Sequence, residues 1–406
     1  MRIRFDFHRT QRQRNSRSIS ADRRVGFGLP LCSHADEVLG MHLAKLRIFQ
    51  YRNLRDLEIL PSPGINLFSG RNGQGKTNLL EAIYFLAFGK SFRTAIPAEC
   101  INHEKTECRI EGTVVHGGLS RNLQVLIGKA GKKLFLLDKP VGLEEFIGNL
   151  NLMAFTHDHL NIVRGGPAER RAFIDRAMIT LYPGYMRNLA EYGRALRQRN
   201  KMLSALGGSA NGVDEALLDS WDEALIGPGA KIAWQRWRYV ERMKQQLPVG
   251  LWNDEKLKMH YFSTIPLEGQ DLLQIEENFR RQLRKTRSAD LKLRLTSIGP
   301  HRDDLKIYLN GKSLSHFASA GQQRWGLLSL YFSQMEIHRQ VHGFYPVFLM
   351  DDVEAELDKT RLRVFLAYLK ERSQTFITSA KGFLFGELGE AGCHFEVESG
   401  MVTRLP

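Results

Sequence analysis

Ile65-Asn66-Leu67-Phe68-Ser69-Gly70-Arg71-Asn72-Gly73-Gln74-Gly75-Lys76-Thr77 is the stretch that decides the fold. Ile65 to Ser69 reads as a buried strand, and Leu79, Leu80, Ile83, Leu86 and Ala87 then recur at helical spacing. Between the two, Gly70 to Thr77 fits the pattern GxxxxGK[ST]. There glycines let backbone N–H groups approach phosphates, the lysine reaches the β- and γ-phosphates and the hydroxyl coordinates Mg2+. Gly70, Arg71, Asn72, Gly73, Gln74, Gly75, Lys76 and Thr77 are therefore the candidate nucleotide-binding residues. Guanine readers carry an Asn-Lys-x-Asp segment, which the chain lacks. The expected cofactors are ATP and Mg2+.

A phosphate loop of this kind needs an acidic residue at the end of an apolar strand, to hold Mg2+ and orient the attacking water. Val347-Phe348-Leu349-Met350-Asp351-Asp352 supplies it. Asp351 is assigned to Mg2+, with Thr77, and Asp352 to water polarisation. About 270 residues separate Lys76 from Asp351, so the nucleotide fold must be split by the chain between them.

Just before that strand lies Phe317-Ala318-Ser319-Ala320-Gly321-Gln322-Gln323-Arg324, opening a helix with Trp325, Leu327, Leu328, Leu330, Tyr331 and Phe332. Ser-x-Gly-Gln at a helix start offers a phosphate a hydroxyl, a flexible backbone and the positive end of a helix dipole. The same residues also make an ordinary N-cap. Their order, after the phosphate loop and before the Asp-Asp strand, favours the phosphate role.

The rest of the chain divides by pattern. Residues 1–40 hold eight arginines, no lysine and four acids, with no helical or strand period, and read as a disordered leader or a mis-assigned start, ordered chain beginning near Met41. Residues 41–160 read as α/β with short strands at 109–138; residues 161–290 turn to long helices, such as Tyr185 to Leu203 and Lys231 to Leu247; residues 291–406 return to α/β. No apolar run approaches the roughly 20 residues of a bilayer helix, so no membrane is expected. The four scattered cysteines read as thiols of a reducing compartment, the cytoplasm. A net charge of +14 in 406 residues favours a polyanionic partner such as nucleic acid.

These motifs in this order resemble the ABC-type ATPase heads of the SMC group, and within it the RecF family of bacterial recombination-repair proteins. Two strings carry the narrower resemblance: Phe155-Thr156-His157-Asp158-His159-Leu160-Asn161-Ile162-Val163, with Arg170-Arg171 and Phe173-Ile174-Asp175 beyond it, and Ile298-Gly299-Pro300-His301-Arg302-Asp303-Asp304-Leu305. The resemblance implies an α/β ATPase head of two lobes split by an inserted, arm-like helical domain. It also implies an ATP-dependent homodimer with two ATP molecules between the subunits, the signature residues Ser319, Gly321 and Gln322 of one subunit serving the other's γ-phosphate. Asp358 falls where a D-loop would be, and Arg52 and Asn53 where the opening turn approaches the nucleotide. DNA, duplex and at single-strand/duplex junctions, is the implied partner, with RecR and RecO; the implied role is gap repair and restart of stalled replication, within the SOS response. A transporter-type or SMC-type head without that role is the alternative.

Two departures point to slow hydrolysis. Thr156-His157 stands where a Q-loop glutamine would, and Ser379-Ala380-Lys381 where transporters place a switch histidine. His301-Arg302-Asp303 resembles a kinase catalytic loop, but no DFG or APE segment follows; Arg302 and Asp303 read either as a buried ion pair at a strand start or as a DNA or interdomain contact. Two basic runs are candidate phosphate contacts: Arg280, Arg281, Arg284, Lys285, Arg287, Lys292 and Arg294, opposed within the run by Asp290, and Arg187, Arg194, Arg197, Arg199 and Lys201 on one helix.

Overall fold

The computed structural model describes residues 40–182, 184–205, 215–248, 256–267, 269, 271–352, 359–370, 372–380 and 392–406. The leader, Asp358 and Lys381 lie outside them. The strands are β1 His42–Phe49, β2 Leu57–Ile59, β3 Ile65–Ser69, β4 Glu107–His116, β5 Leu119–Gly128, β6 Gly131–Leu136, β7 Lys139–Val141, β8 Leu152–Phe155, β9 Leu257–Phe262, β10 Asp304–Leu309, β11 Lys312–Ser313, β12 Val347–Met350, β13 Thr375–Ser379, β14 Gly392–Glu398 and β15 Met401–Arg404. Helices of three turns or more are α1 Lys76–Phe88, α2 Pro167–Leu181, α3 Tyr185–Ala205, α4 Glu215–Gln245, α5 Leu272–Leu293, α6 Ala320–His342 and α7 Lys359–Lys370.

Two six-stranded sheets enclose α1. One is antiparallel, in the order β2-β1-β4-β5-β6-β7; the other runs β15-β14-β3-β13-β12-β8 and is parallel except at β15. β3 and β8 come from before the helices, and β12, β13 and β14 from after them, so chain segments hundreds of residues apart build one sheet. The sheet therefore draws on both the 41–160 and the 291–406 segments. Its strands read as unbroken apolar runs because both faces are covered. Alternate residues divide between two cores: Phe68, Leu349 and Phe376 face the antiparallel sheet, while Leu67, Phe348 and Ile377 face the helices.

Being enclosed, α1 is apolar nearly all round: Leu79, Leu80, Ile83, Phe85 and Leu86 are fully buried. Each such side chain contributes roughly 1.5–3 kcal/mol, which anchors the helix that starts at Lys76. The strands after α1 are longer than their sequence suggests, β4 and β5 having ten residues each. Gly117 and Gly118, both with positive φ, make the turn between β4 and β5, while Gly112 lies within β4 and keeps its pairing with Leu123.

α3, α4 and α5 form the helical block, joined by β9, which pairs antiparallel with β10. Sequence reading placed no strand there. β9 (Leu-Lys-Met-His-Tyr-Phe) buries alternate residues, Met259 and Tyr261, so its period of two was legible but short. At the centre of the block a Cβ on Gly229 would stand 2.6 Å from Phe279 and 2.9 Å from Tyr192, so glycine there lets the three helices close on one another. Among the described residues no helix is long and apolar enough to cross a membrane.

Candidate nucleotide site

β3 ends in the phosphate loop, and α1 begins at Lys76 with Gly75 as its N-cap. Gly75 has φ 117°, and a Cβ there would press on Leu54 at 2.9 Å and the Asn53 amide at 3.0 Å. Gly70 has φ 153° and lies against the Val397 carbonyl of β14, which a Cβ would meet at 2.2 Å. Both positions thus require glycine, and both set where the loop runs. No side chain caps α1. The first N–H groups of a helix have no partner within it, so this end is suited to an anion acceptor. Lys76, 8% exposed, donates through Nζ to the Gly70 carbonyl at 2.6 Å and the Arg71 carbonyl at 3.0 Å, which holds the ammonium inside the loop.

The C-terminal hairpin supports the loop from one side. Ser399 N–H donates to Gln74 Oε1 at 2.6 Å and Gly400 N–H to the Gln74 carbonyl at 3.1 Å. From the other side, Asn53 donates to the Gly73 carbonyl at 3.3 Å and accepts from Asn78 Nδ2 at 2.6 Å. Asn53 thus reaches the loop directly. Arg52 instead donates to Glu81, deep in α1, at 2.5 and 2.8 Å. Sequence reading missed Glu81, a carboxylate on the apolar face of α1; a lone acid in such a run was the available signal.

β12 carries Asp351 to the same end of the sheet. Thr77 Oγ1 donates to Asp351 Oδ1 at 3.0 Å across 274 residues of sequence. Thr378, at the end of β13, donates to the same oxygen at 2.6 Å. Burial raises the Asp351 pKa, and the hydrogen bonds from Thr378 and Thr77 act against that rise by stabilising the carboxylate. Two oxygen donors this close, one a carboxylate, suit a hard divalent cation such as Mg2+. Asp352 is exposed, with φ 47°, and its N–H donates to Thr378 Oγ1 at 2.8 Å.

Ser319 caps α6 in a full capping box: its Oγ accepts from Gln322 N–H at 3.3 Å, and Gln322 Oε1 accepts from Ser319 N–H at 2.9 Å. A hydroxyl accepts and donates at once, so the cap leaves the exposed Ser319 a hydrogen for an outside acceptor. A Cβ on Gly321 would stand 2.9 Å from Arg361 of α7. The structure joins Lys76, Thr77, Asp351 and Asp352 in one constellation, while Ser319, Gly321 and Gln322 form a separate one with their own partners. Asp358 lies outside the described residues.

Several sequence expectations change. Arg199 is fully buried, donating to Asp222 at 2.6 Å, Asp290 at 2.8 Å and Thr296 at 2.9 Å, so it is no part of a solvent-facing basic helix. Arg280 pairs with Glu223 and Glu277, and Arg287 with Asp219 and Asp222. Glu223, Asp219 and Asp222 of α4, distant in sequence, and Glu277, three residues before Arg280, therefore oppose that run, and Asp290 pairs with Arg199. Arg302 and Asp303 do not pair: Arg302 donates to the Thr296 carbonyl, while buried Asp303 accepts from Tyr261 at 2.6 Å and from Thr264 N–H at 3.0 Å. Asp303 thus fastens β10, of the 291–406 segment, to the chain after β9, of the 161–290 segment.

The family model of the RecF/RecN/SMC N-terminal domain matches residues 42–400. The "DNA replication and repair protein RecF" of Listeria innocua is 35% identical over 375 residues, covering 90% of this chain and 100% of that protein. Its namesake in Streptococcus agalactiae is 34% identical, covering 89% and 98%. Among solved structures, "the recombination mediator protein RecF-ATP in RecFOR pathway" superposes with a TM-score of 0.83 at 30% identity, covering 92% of this chain and 100% of that one. An Smc head domain from Pyrococcus furiosus superposes at 0.53 with 14% identity, a likeness of fold.

Proposed function

The chain belongs to the RecF family within the RecF/RecN/SMC proteins, and from that premise we propose that it is an ATP-dependent DNA-binding protein of replication and recombinational repair. ATP drives two copies together on DNA near single-strand/duplex junctions, and slow, DNA-stimulated hydrolysis releases them. RecR and RecO are its proposed partners and the cytoplasm its proposed place.

The observation that carries the ATPase half is the 3.0 Å hydrogen bond from Thr77 to Asp351, which brings the phosphate loop and the second acidic motif to one point. Lys76 binds the β- and γ-phosphates, the uncapped start of α1 receives them, and Asp352 polarises the attacking water. Thr77 and Asp351 would hold Mg2+, which supplies charge neutralisation on the triphosphate. Asn53 and the hairpin at Ser399 and Gly400 keep the loop in shape. Relatives named for DNA replication and repair at 35% identity over their full length support the DNA half.

Lys76→Ala should abolish ATP binding. Lys76→Arg should bind ATP without hydrolysing it, because guanidinium keeps the charge but not the compact ammonium contact. In sedimentation, ATP with Mg2+ and DNA should convert monomer to dimer. Wild-type hydrolysis by the Arg variant, or a monomer under all conditions, would refute the reading.

A further inference from the structure

β13 lies between β3, which ends in the phosphate loop, and β12, which ends in Asp351. Met350 pairs with Ile377 and Phe68 with Thr378, so Asp351, the residue after β12, is level with Thr378. Thr378 is fully buried. Buried threonines commonly satisfy their hydroxyl on a nearby carbonyl; Thr375 on the same strand does so, on Ser373 O at 3.0 Å. Thr378 instead takes two partners in the acidic motif, donating to Asp351 Oδ1 at 2.6 Å and accepting from Asp352 N–H at 2.8 Å. The second bond engages Asp352 at φ 47°, a left-handed conformation that is uncommon outside glycine, though aspartate adopts it more readily than most. The first bond shares its acceptor oxygen with Thr77 and so fixes the carboxylate relative to the phosphate loop.

We propose that Thr378 is a positioning residue for ATP hydrolysis, holding Asp351 and Asp352 at a fixed setting against Thr77; this rests on the ATPase reading above. Partners of metal ligands typically influence metal affinity or activity by about 10–100-fold. Thr378→Val keeps the shape and removes both hydrogen bonds, whereas Thr378→Ser keeps the hydroxyl.

The test uses the full chain. Binding of a fluorescent ATP analogue is measured in EDTA and across a Mg2+ titration, together with DNA-stimulated hydrolysis and thermal unfolding. Thr378→Val should bind the analogue in EDTA within about twofold of wild type, need roughly tenfold more Mg2+ for half-saturation, and lose roughly 10–100-fold in kcat with little change in KM. Thr378→Ser should restore both to within about threefold. Wild-type Mg2+ dependence and kcat in the valine variant would overturn the proposal, as would equal impairment of the valine and serine variants. If the valine variant does not fold, Thr378→Ala is measured and judged by the same two outcomes. Wild-type protein that binds no analogue under either condition refutes the ATPase reading itself, and is seen before any variant is made.

Discussion

Arg52 grips Glu81 at two points, 2.5 and 2.8 Å, and so ties the turn after β1 to the middle of the helix that starts at Lys76. Glu81 is fully buried, Ser91 also donates to it, and Arg93 stands 3.7 Å away. The hydrogen bonds to Glu81 raise the Arg52 pKa, so the guanidinium stays charged throughout the accessible pH range. Removing one partner strands a charge, which costs about 3–5 kcal/mol when both are buried. Arg52 is partly exposed, so Arg52→Ala should cost about 3 kcal/mol in urea unfolding. Arg52→Lys should recover only part, since ammonium cannot reproduce the two-point grip. Adding Glu81→Leu to Arg52→Ala should return stability; a double variant no more stable than the single one would show that the pair does not hold the helix.

His159 gives the protein an acid-sensitive core. Its Nδ1 accepts from Thr156 N–H at 3.2 Å and lies 2.9 Å from the Tyr331 hydroxyl, and burial depresses its pKa to about 3. Unfolded, the ring titrates near 6.5. Between those values the unfolded chain binds a proton that the folded one refuses, so this contribution to stability is present above about 6.5 and is lost as pH falls. Asp351 and Asp303, whose pKa burial raises, contribute with the opposite sign, so the readout is a difference. His159→Asn keeps an acceptor that does not titrate. Its urea midpoint should fall less than that of wild type between pH 7 and 4.5; parallel pH profiles would count against a neutral, buried His159.

The salt dependence of DNA binding should separate the arginines of α5. Arg281, Arg284 and Lys285 are exposed on one face, whereas Arg280 and Arg287 are engaged with acids of α4. Each neutralised duplex phosphate contributes about −0.9 to the slope of log K against log salt. Reversing Arg281 and Arg284 to Glu should lower affinity and make the slope shallower by up to about two. Arg280→Gln should leave the slope unchanged. A drop in affinity at constant slope for the double reversal would place those arginines outside the DNA contact.

The phosphate loop and the Asp351 strand were legible because their chemistry is local: glycines at fixed spacing and an apolar run that ends in an acid. Glu81, Thr378 and the support that Gln74 gives the loop were not, because each depends on partners at least ten residues away, with Thr378 reaching from β13 to the Asp351 that follows β12 and Gln74 across 325 residues to Ser399. Three arginines of the basic runs are engaged for the same reason. A sequence window shows Arg199, Arg280 and Arg287 with their neighbours, whereas folding gives them Asp222, Glu223 and Asp219 from another helix.

Ser319 separates a dimeric switch from a phosphate-loop enzyme that works alone. Within its own chain it completes a capping box, so Ser319→Arg should cost the loss of a cap, about 0.5–2 kcal/mol. If that is its whole role, ATPase activity should be nearly untouched. α1 and α6 differ at their starts in a way that favours a second role: α1 is open toward phosphate, whereas α6 is closed by Ser319 and Gln322, with a hydroxyl hydrogen remaining for an acceptor outside the chain. In the proposed ATP-dependent dimer that acceptor would be the γ-phosphate held by the partner's Lys76, and a bulky cation would misplace it and block closure. ATP binding by Ser319→Arg should survive, while dimerisation and DNA-stimulated hydrolysis disappear. Mixing Ser319→Arg with Lys76→Ala protein should restore at most one composite site per dimer, from the intact Lys76 of one chain and the intact Ser319 of the other. Equal ATPase activity of wild type and Ser319→Arg across a protein dilution series would remove the role in trans and, with it, the ATP-driven clamp.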